Sequence, residues 1–124
     1  MLKHISIVNL LLFSMSLQAD ENKLPFKEFS IKGMHWVPDE FGLVTEKECE
    51  GFAKTPESTI KAFFQKAAVR SDLDYYGSLC ALEGELVADE KTYKWRLFKN
   101  KIGIIDLGKD KGGEWIVSCA DCKW

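Results

Sequence analysis

The apolar and polar positions change period partway along the chain. Between Pro56 and Val69, Ile60, Phe63, Phe64, Ala67 and Ala68 recur at helical spacing, with Lys61, Gln65 and Lys66 between them. That spacing predicts an amphipathic helix over about 56–69 with one buried face. Thr55-Pro56-Glu57 supplies its start as an N-cap hydroxyl, a proline at the first helical position and an acid in the first turn. The aromatic pair Phe63 and Phe64 reads as core, since that spacing buries side chains far more often than it builds a cofactor site. From Cys80 onward the period is two, the mark of half-buried strands. A tight turn at Ala88–Lys91 sets Leu82 opposite Leu97, Gly84 under Trp95 and Leu86 opposite Tyr93. The same register sets Glu83 against Arg96 and Glu85 against Lys94, so one pairing satisfies both faces.

A second turn at Lys99-Asn100-Lys101 sets Trp95 opposite Ile105, Leu97 opposite Gly103 and Tyr93 opposite Leu107. On the other face Lys94 then opposes Asp106, Arg96 opposes Ile104 and Phe98 opposes Ile102. Gly108–Gly113 is a loop by composition, and the last strand carries Trp115, Val117 and Cys119 on one face. The expected fold is therefore α+β: one main helix (about 56–69) on a four-stranded antiparallel meander (about 80–120), stabilised by disulfides. Ser71-Asp72-Leu73-Asp74 between them caps a further turn of helix or leads into the sheet.

The N-terminal part is less regular. Lys3 and His4 precede the apolar run Ile5–Phe13, and small residues lead to Ala19. This reads as a signal peptide over 1–19, too short in its apolar run to span a bilayer, followed by a single exported domain over 20–124. No membrane anchor is expected after cleavage, and the location is extracytoplasmic, periplasmic or secreted. Phe26, Phe29 and Ile31, then Gly33, Met34 and Trp36, read as a strand whose facing switches at a glycine bulge. It is either an edge strand or a covering flap; the sharper alternative is a ligand-facing Met34-His35-Trp36 segment. Thr45-Glu46-Lys47-Glu48 forms a capping box opening a short helix that turns Cys49, Phe52 and Ala53 inward.

The four cysteines all follow the signal segment, and an even count in an exported chain reads as two disulfides. Zinc would want two close pairs or more histidine than His35. A redox CxxC wants a helix after it, whereas Cys119-Ala120-Asp121-Cys122 is followed only by Lys123 and Trp124. Pairing follows from the meander. Cys80 and Cys119 stand three strand spacings apart, about 14 Å, against the ~7 Å a disulfide allows. Cys80–Cys122 would need the last three residues to run straight back across the sheet, which is possible but strained. Cys49 precedes the helix over that face and reaches Cys80 without distortion. The expected pairs are Cys49–Cys80 and Cys119–Cys122.

The chain has 124 residues, 29% charged, with a formal net charge of −2, so a nucleic-acid surface is not expected despite Lys91, Lys94, Arg96, Lys99 and Lys101. Glu83 and Glu85 could be offered as a general acid and base, but both face basic residues on an open sheet and read as surface ion pairs. His35 is the only imidazole after the signal segment, and no Gly-x-Ser-x-Gly or phosphate loop is present. We therefore expect no enzyme, no metal and no cofactor. What remains is the apolar cluster Phe98, Ile102 and Ile104 on the face away from the helix, beside Ala81 and Ile116. Such a cluster marks a partner site or is covered by the chain itself, here by Leu24–Val37.

A helix followed by an antiparallel meander, over about residues 55–119, resembles the element order of cystatin-like and NTF2-like domains. Those domains hold ligands in a cone between helix and sheet. The leading expectation is an exported binding protein that engages a protein partner, of inhibitor or immunity type, through Phe98, Ile102 and Ile104. The alternative is a small-ligand carrier with a pocket lined by Phe64, Trp95 and Trp115, which a filled core would exclude. A carboxylate-based hydrolase is third.

Overall fold

The computed structural model describes residues 22–70 and 78–124. The signal segment 1–19 and the Ser71–Asp74 stretch lie outside the described residues. The architecture is mixed α/β, with one antiparallel sheet of six strands rather than four. In chain order the elements are β1 (Ser30–Val37), α1 (Glu50–Ala53), α2 (Glu57–Lys66), β2 (Ala68–Val69), β3 (Ala81–Ala88), β4 (Lys91–Phe98), β5 (Ile102–Asp106) and β6 (Glu114–Ser118). The spatial order is β1-β3-β4-β5-β6-β2, so the meander of four is flanked by one added strand on each side.

The meander has the register that the alternation requires. Leu82 pairs with Leu97, Gly84 with Trp95, Leu86 with Tyr93, Glu83 with Arg96 and Glu85 with Lys94. Trp95 pairs with Ile105 and Leu97 with Gly103 across the next hairpin, and Ile105 with Trp115 across the last. Asp89 and Glu90 take φ of 52° and 64°, the left-handed pair that a two-residue hairpin turn needs to match strand twist. Gly84 is bare for a reason: a Cβ there would stand 2.5 Å from Cζ2 of Trp95.

The first added strand is β1, paired along β3 with Ile31 opposite Leu86 and Trp36 opposite Leu82. The register slips between Lys32 and His35, where Gly33 takes φ +68°, so the glycine bulge is real and the segment is an edge strand. The second is β2, and it corrects the length of the helix. The helical spacing runs on through Ala68 and Val69, yet α2 ends at Lys66 and Ala67 is extended (φ −60°, ψ 140°). Beyond it Ala68 pairs with Ser118 and Val69 with Val117. The edge of β6 gives this segment an outlet for its amides: Arg70 N donates to Ile116 O at 2.8 Å. On its other side Val69 N donates to Asn22 O at 2.6 Å, so the chain entering at Asn22 and Lys23 covers the outer edge of β2. From there Leu24 to Phe29 carry the chain to β1 at the opposite edge.

The helix start also differs from its sequence signature. Pro56, not Thr55, holds the N-cap position, with no side-chain cap. Thr55 is buried and its Oγ1 donates to Phe52 O at 2.6 Å, closing α1 instead. The hydrogen bonds of the Thr45–Glu48 box form, Thr45 N donating to Glu48 Oε1 at 3.0 Å and Glu48 N to Thr45 Oγ1 at 3.3 Å. They close a turn ahead of α1, however, whose N-cap is Cys49 with no side-chain cap.

The core lies between α2 and the sheet and is filled. Ile60, Leu86, Leu97, Ile105 and Val117 are fully buried, and Phe63, Phe64 and Leu82 nearly so. Phe64 meets Trp95 with ring centroids 5.3 Å apart, and Phe63 lies over Gly103, where an added Cβ would stand 3.4 Å from its Cε1. Leu24, Phe29 and Ile31 join this same core, with Phe26 stacked 5.0 Å from Tyr93. Trp124 folds back against Phe52 (5.3 Å) and Phe63 (5.5 Å), and its indole donates to Lys99 O at 2.7 Å. The disulfides join Cys49 to Cys80 and Cys119 to Cys122, with Cα separations of 5.5 and 5.4 Å.

Candidate functional site

The sheet face turned away from α2 is mixed rather than apolar. Phe98 is buried, while Ile102, Ile104 and Ile116 are half-buried. Phe98 and Ile102 flank the β4–β5 turn, and Ile104 sits one row further, opposite Arg96. Ile104 shares a shallow depression of about 370 Å³ with Glu83, Lys94, Arg96, Asp106 and Glu114, so charged groups break the cluster. The expected cover of this cluster by Leu24–Val37 is not what forms. The buried side chains of that segment belong to the helix side, because Ile31 and Trp36 pair with Leu86 and Leu82 and share their face.

Glu83 accepts from Arg96 at 3.1 Å in an exposed pair, and Glu85 stands opposite Lys94, as the alternation requires. His35 Nδ1 donates to Gly33 O at 3.0 Å, across the bulge. Among the described residues, no group of three or more His, Cys, Asp or Glu side chains could hold a metal ion. None of the described helices is long and apolar enough to cross a membrane. The space where a carrier would hold its ligand is occupied by Phe64 and Trp95 themselves, both at most 3% exposed.

The residues most exposed against their chemistry lie elsewhere. Phe41 is 76% exposed and Leu43 is 64% exposed, on the loop between β1 and α1. Full burial of either side chain is worth roughly 1.5–3 kcal/mol, and the fold forgoes most of it here. The loop is held rather than slack. One Asp39 oxygen accepts from Leu43 N at 2.9 Å and Phe41 N at 3.2 Å, and the other accepts from Val44 N at 3.1 Å. Gly42 N donates to Asp39 O at 3.2 Å, and Gly42 takes φ +64°, the left-handed conformation that closes the turn. The Leu43 amide first, with those of Val44 and Phe41 behind it, holds the Asp39 carboxyl below the usual carboxylate range against an opposing desolvation.

The loop is anchored at both ends. Val37 pairs with Ala81 at the end of β1, Val44 packs against the core, and the capping box and the Cys49–Cys80 bridge follow at once. Leu79, 42% exposed, leaves the sheet at this same end, two residues before Ala81. Alternation and helical periodicity could not find these residues, since both rules describe burial. The available signal was turn chemistry: an Asp three residues before a Gly, with large apolar residues inside the turn where polar ones are usual.

No protein-family model, no curated protein and no solved structure matches the chain.

Proposed function

We propose that the protein is an exported, disulfide-braced binding protein that engages a protein partner, of inhibitor or immunity type, through the loop 39–44. The observation that carries this reading is the display of Phe41 and Leu43 on backbone tied to the Asp39 carboxylate. A large apolar side chain on backbone already held in place spares the cost of ordering the loop on docking, which makes it an efficient anchor. The filled core weighs against the carrier reading, and the engagement of Glu83 by Arg96 weighs against a free carboxylate pair for hydrolysis. The two disulfides are compatible with an oxidising compartment.

The test is affinity capture from the native extracytoplasmic fraction, using protein exported with its own leader. Phe41→Ala with Leu43→Ala should abolish capture while leaving the circular dichroism unchanged. Capture that survives this pair but is lost with Ile104→Lys would move the docking site to the sheet face. N-terminal sequencing of the exported protein should begin near Asp20; a start at Met1 would remove the support for cleavage.

A further inference from the structure

We infer that the partner engaged by this loop is a cationic protein whose apolar cleft is rimmed by lysine or arginine. This rests on the reading of the loop as the docking element and adds the chemistry of what it docks into. The segment Asp39–Glu50 carries five carboxylates, Asp39, Glu40, Glu46, Glu48 and Glu50, against the single lysine Lys47. Three of the five have work within the fold. Asp39 holds the loop amides, Glu48 closes the capping box, and Glu50 pairs with Lys54. Glu40 and Glu46 do neither: both are exposed, and among the described residues no ion pair engages them. Glu40 directly precedes Phe41, and Glu46 follows Leu43 by three residues, so the apolar tip is bracketed by two uncommitted negative charges. Lys99 and Lys101 lie in the β4–β5 turn at this same end of the sheet, where Lys99 N donates to Cys80 O at 3.1 Å. But β4 stands two places and β5 three places from β1, which the loop follows.

An apolar anchor flanked by charges mostly of one sign selects its cleft by the rim. A rim of like charge costs several kcal/mol, and a rim of opposite charge speeds encounter. Anionic lipid is disfavoured by the same charges, because Glu40 would have to approach the headgroups together with Phe41. Neither carboxylate makes a hydrogen bond or ion pair with another described residue, so both can be changed without disturbing the site they surround.

The experiment replaces Phe41 with the photocrosslinker p-benzoylphenylalanine in the exported full-length protein and irradiates the native extracytoplasmic fraction. The protein recovered as the adduct is then purified and titrated with the wild type and with variants. Glu40→Lys with Glu46→Lys should weaken binding at least about tenfold, mainly by slowing association. Glu40→Gln with Glu46→Gln should fall between, and raising NaCl from low to high should also weaken binding by about tenfold or more. An adduct whose affinity ignores both charge reversal and salt would overturn the cationic partner and leave the loop reading standing. Failure to form any adduct, with capture unchanged by Phe41→Ala, would overturn the loop reading itself. Phe41-dependent sedimentation with phosphatidylglycerol-containing vesicles would replace the protein partner by a lipid surface.

Discussion

Gly84 offers the sharpest test of how the core is assembled. Its Cα faces the ring of Trp95, and an added Cβ would lie 2.5 Å from Cζ2, 2.9 Å from Cε2 and 3.1 Å from Cη2. The ring has nowhere to retreat, because Trp95 is 3% exposed, meets Phe64 at 5.3 Å and pairs across β4–β5 with the fully buried Ile105. Forcing a methyl into such a site costs about 1–3 kcal/mol. Replacing a strand glycine recovers roughly 0.5–1 kcal/mol of backbone entropy. With a 2.5 Å approach to a pinned ring the cost lies in the upper part of its range, so Gly84→Ala should destabilise by about 1–2.5 kcal/mol net. Urea unfolding of the oxidised protein, followed by near-ultraviolet circular dichroism, measures this. The compensating change is Trp95→Phe, which removes the part of the ring that collides and also an indole N–H that is buried with no partner among the described residues. Because the two positions touch, the double variant should be more stable than the summed single effects by about 1 kcal/mol or more. A single variant within ~0.5 kcal/mol of wild type, or strictly additive changes, would refute the argument that Trp95 is pinned against Gly84.

Asp39→Ala should leave global stability nearly unchanged yet speed amide hydrogen exchange at Phe41, Leu43 and Val44, the three donors to its carboxylate. Because that carboxyl is held below its ordinary value of 3.8, the brace is complete above that pH and is lost as pH falls through the depressed value. The amide resonances of the loop should therefore titrate only below pH 3.8, and movement confined to a higher pH would contradict the brace. Of the disulfides, Cys49–Cys80 closes a separation of 31 residues and Cys119–Cys122 one of 3. Chain entropy then assigns about 3–4 kcal/mol to the first and about 1.5–2 kcal/mol to the second, so Cys49→Ala/Cys80→Ala should lower the urea midpoint far more than Cys119→Ala/Cys122→Ala. Trp124→Ala removes the stacking on Phe52 and Phe63 and the bond to Lys99 O, and should cost about 1.5–3 kcal/mol in the same assay.

The meander was legible in the sequence because each of its pairings is over-determined. Between β3 and β4, a one-residue slip would bury Glu83 and Glu85 and expose Leu82 and Leu86, so hydrophobic and charged faces specify one register together. The disulfide pairing was legible in part: strand spacing separates Cys80 from Cys119, while the choice of Cys49 over Cys122 as the partner of Cys80 rests on the strain of running the chain end back across the sheet. Local chemistry sufficed again at Thr45–Glu48, where a hydroxyl and a carboxylate three residues apart satisfy each other's amides.

Where two local rules competed, only the tertiary structure decided. Ala67, Ala68 and Val69 continue a helical pattern, but the unpaired edge of β6 offers hydrogen bonds to an extended chain, and the helix stops at Lys66. Thr55 carries the signature of an N-cap and uses its hydroxyl on Phe52 instead. The side of the sheet taken by Leu24–Val37 depends on pairing with β3, a partner some fifty residues later in the chain. The face of a strand is written in its own alternation, whereas its neighbour is chosen by the whole sheet. The same holds for the candidate site. Phe98 lies on the face away from the helix and is nonetheless buried, whereas Phe41 and Leu43, in a turn that no periodicity describes, stand mostly in solvent. Exposure is a property of everything packed around a residue, and no local pattern of apolar positions contains it.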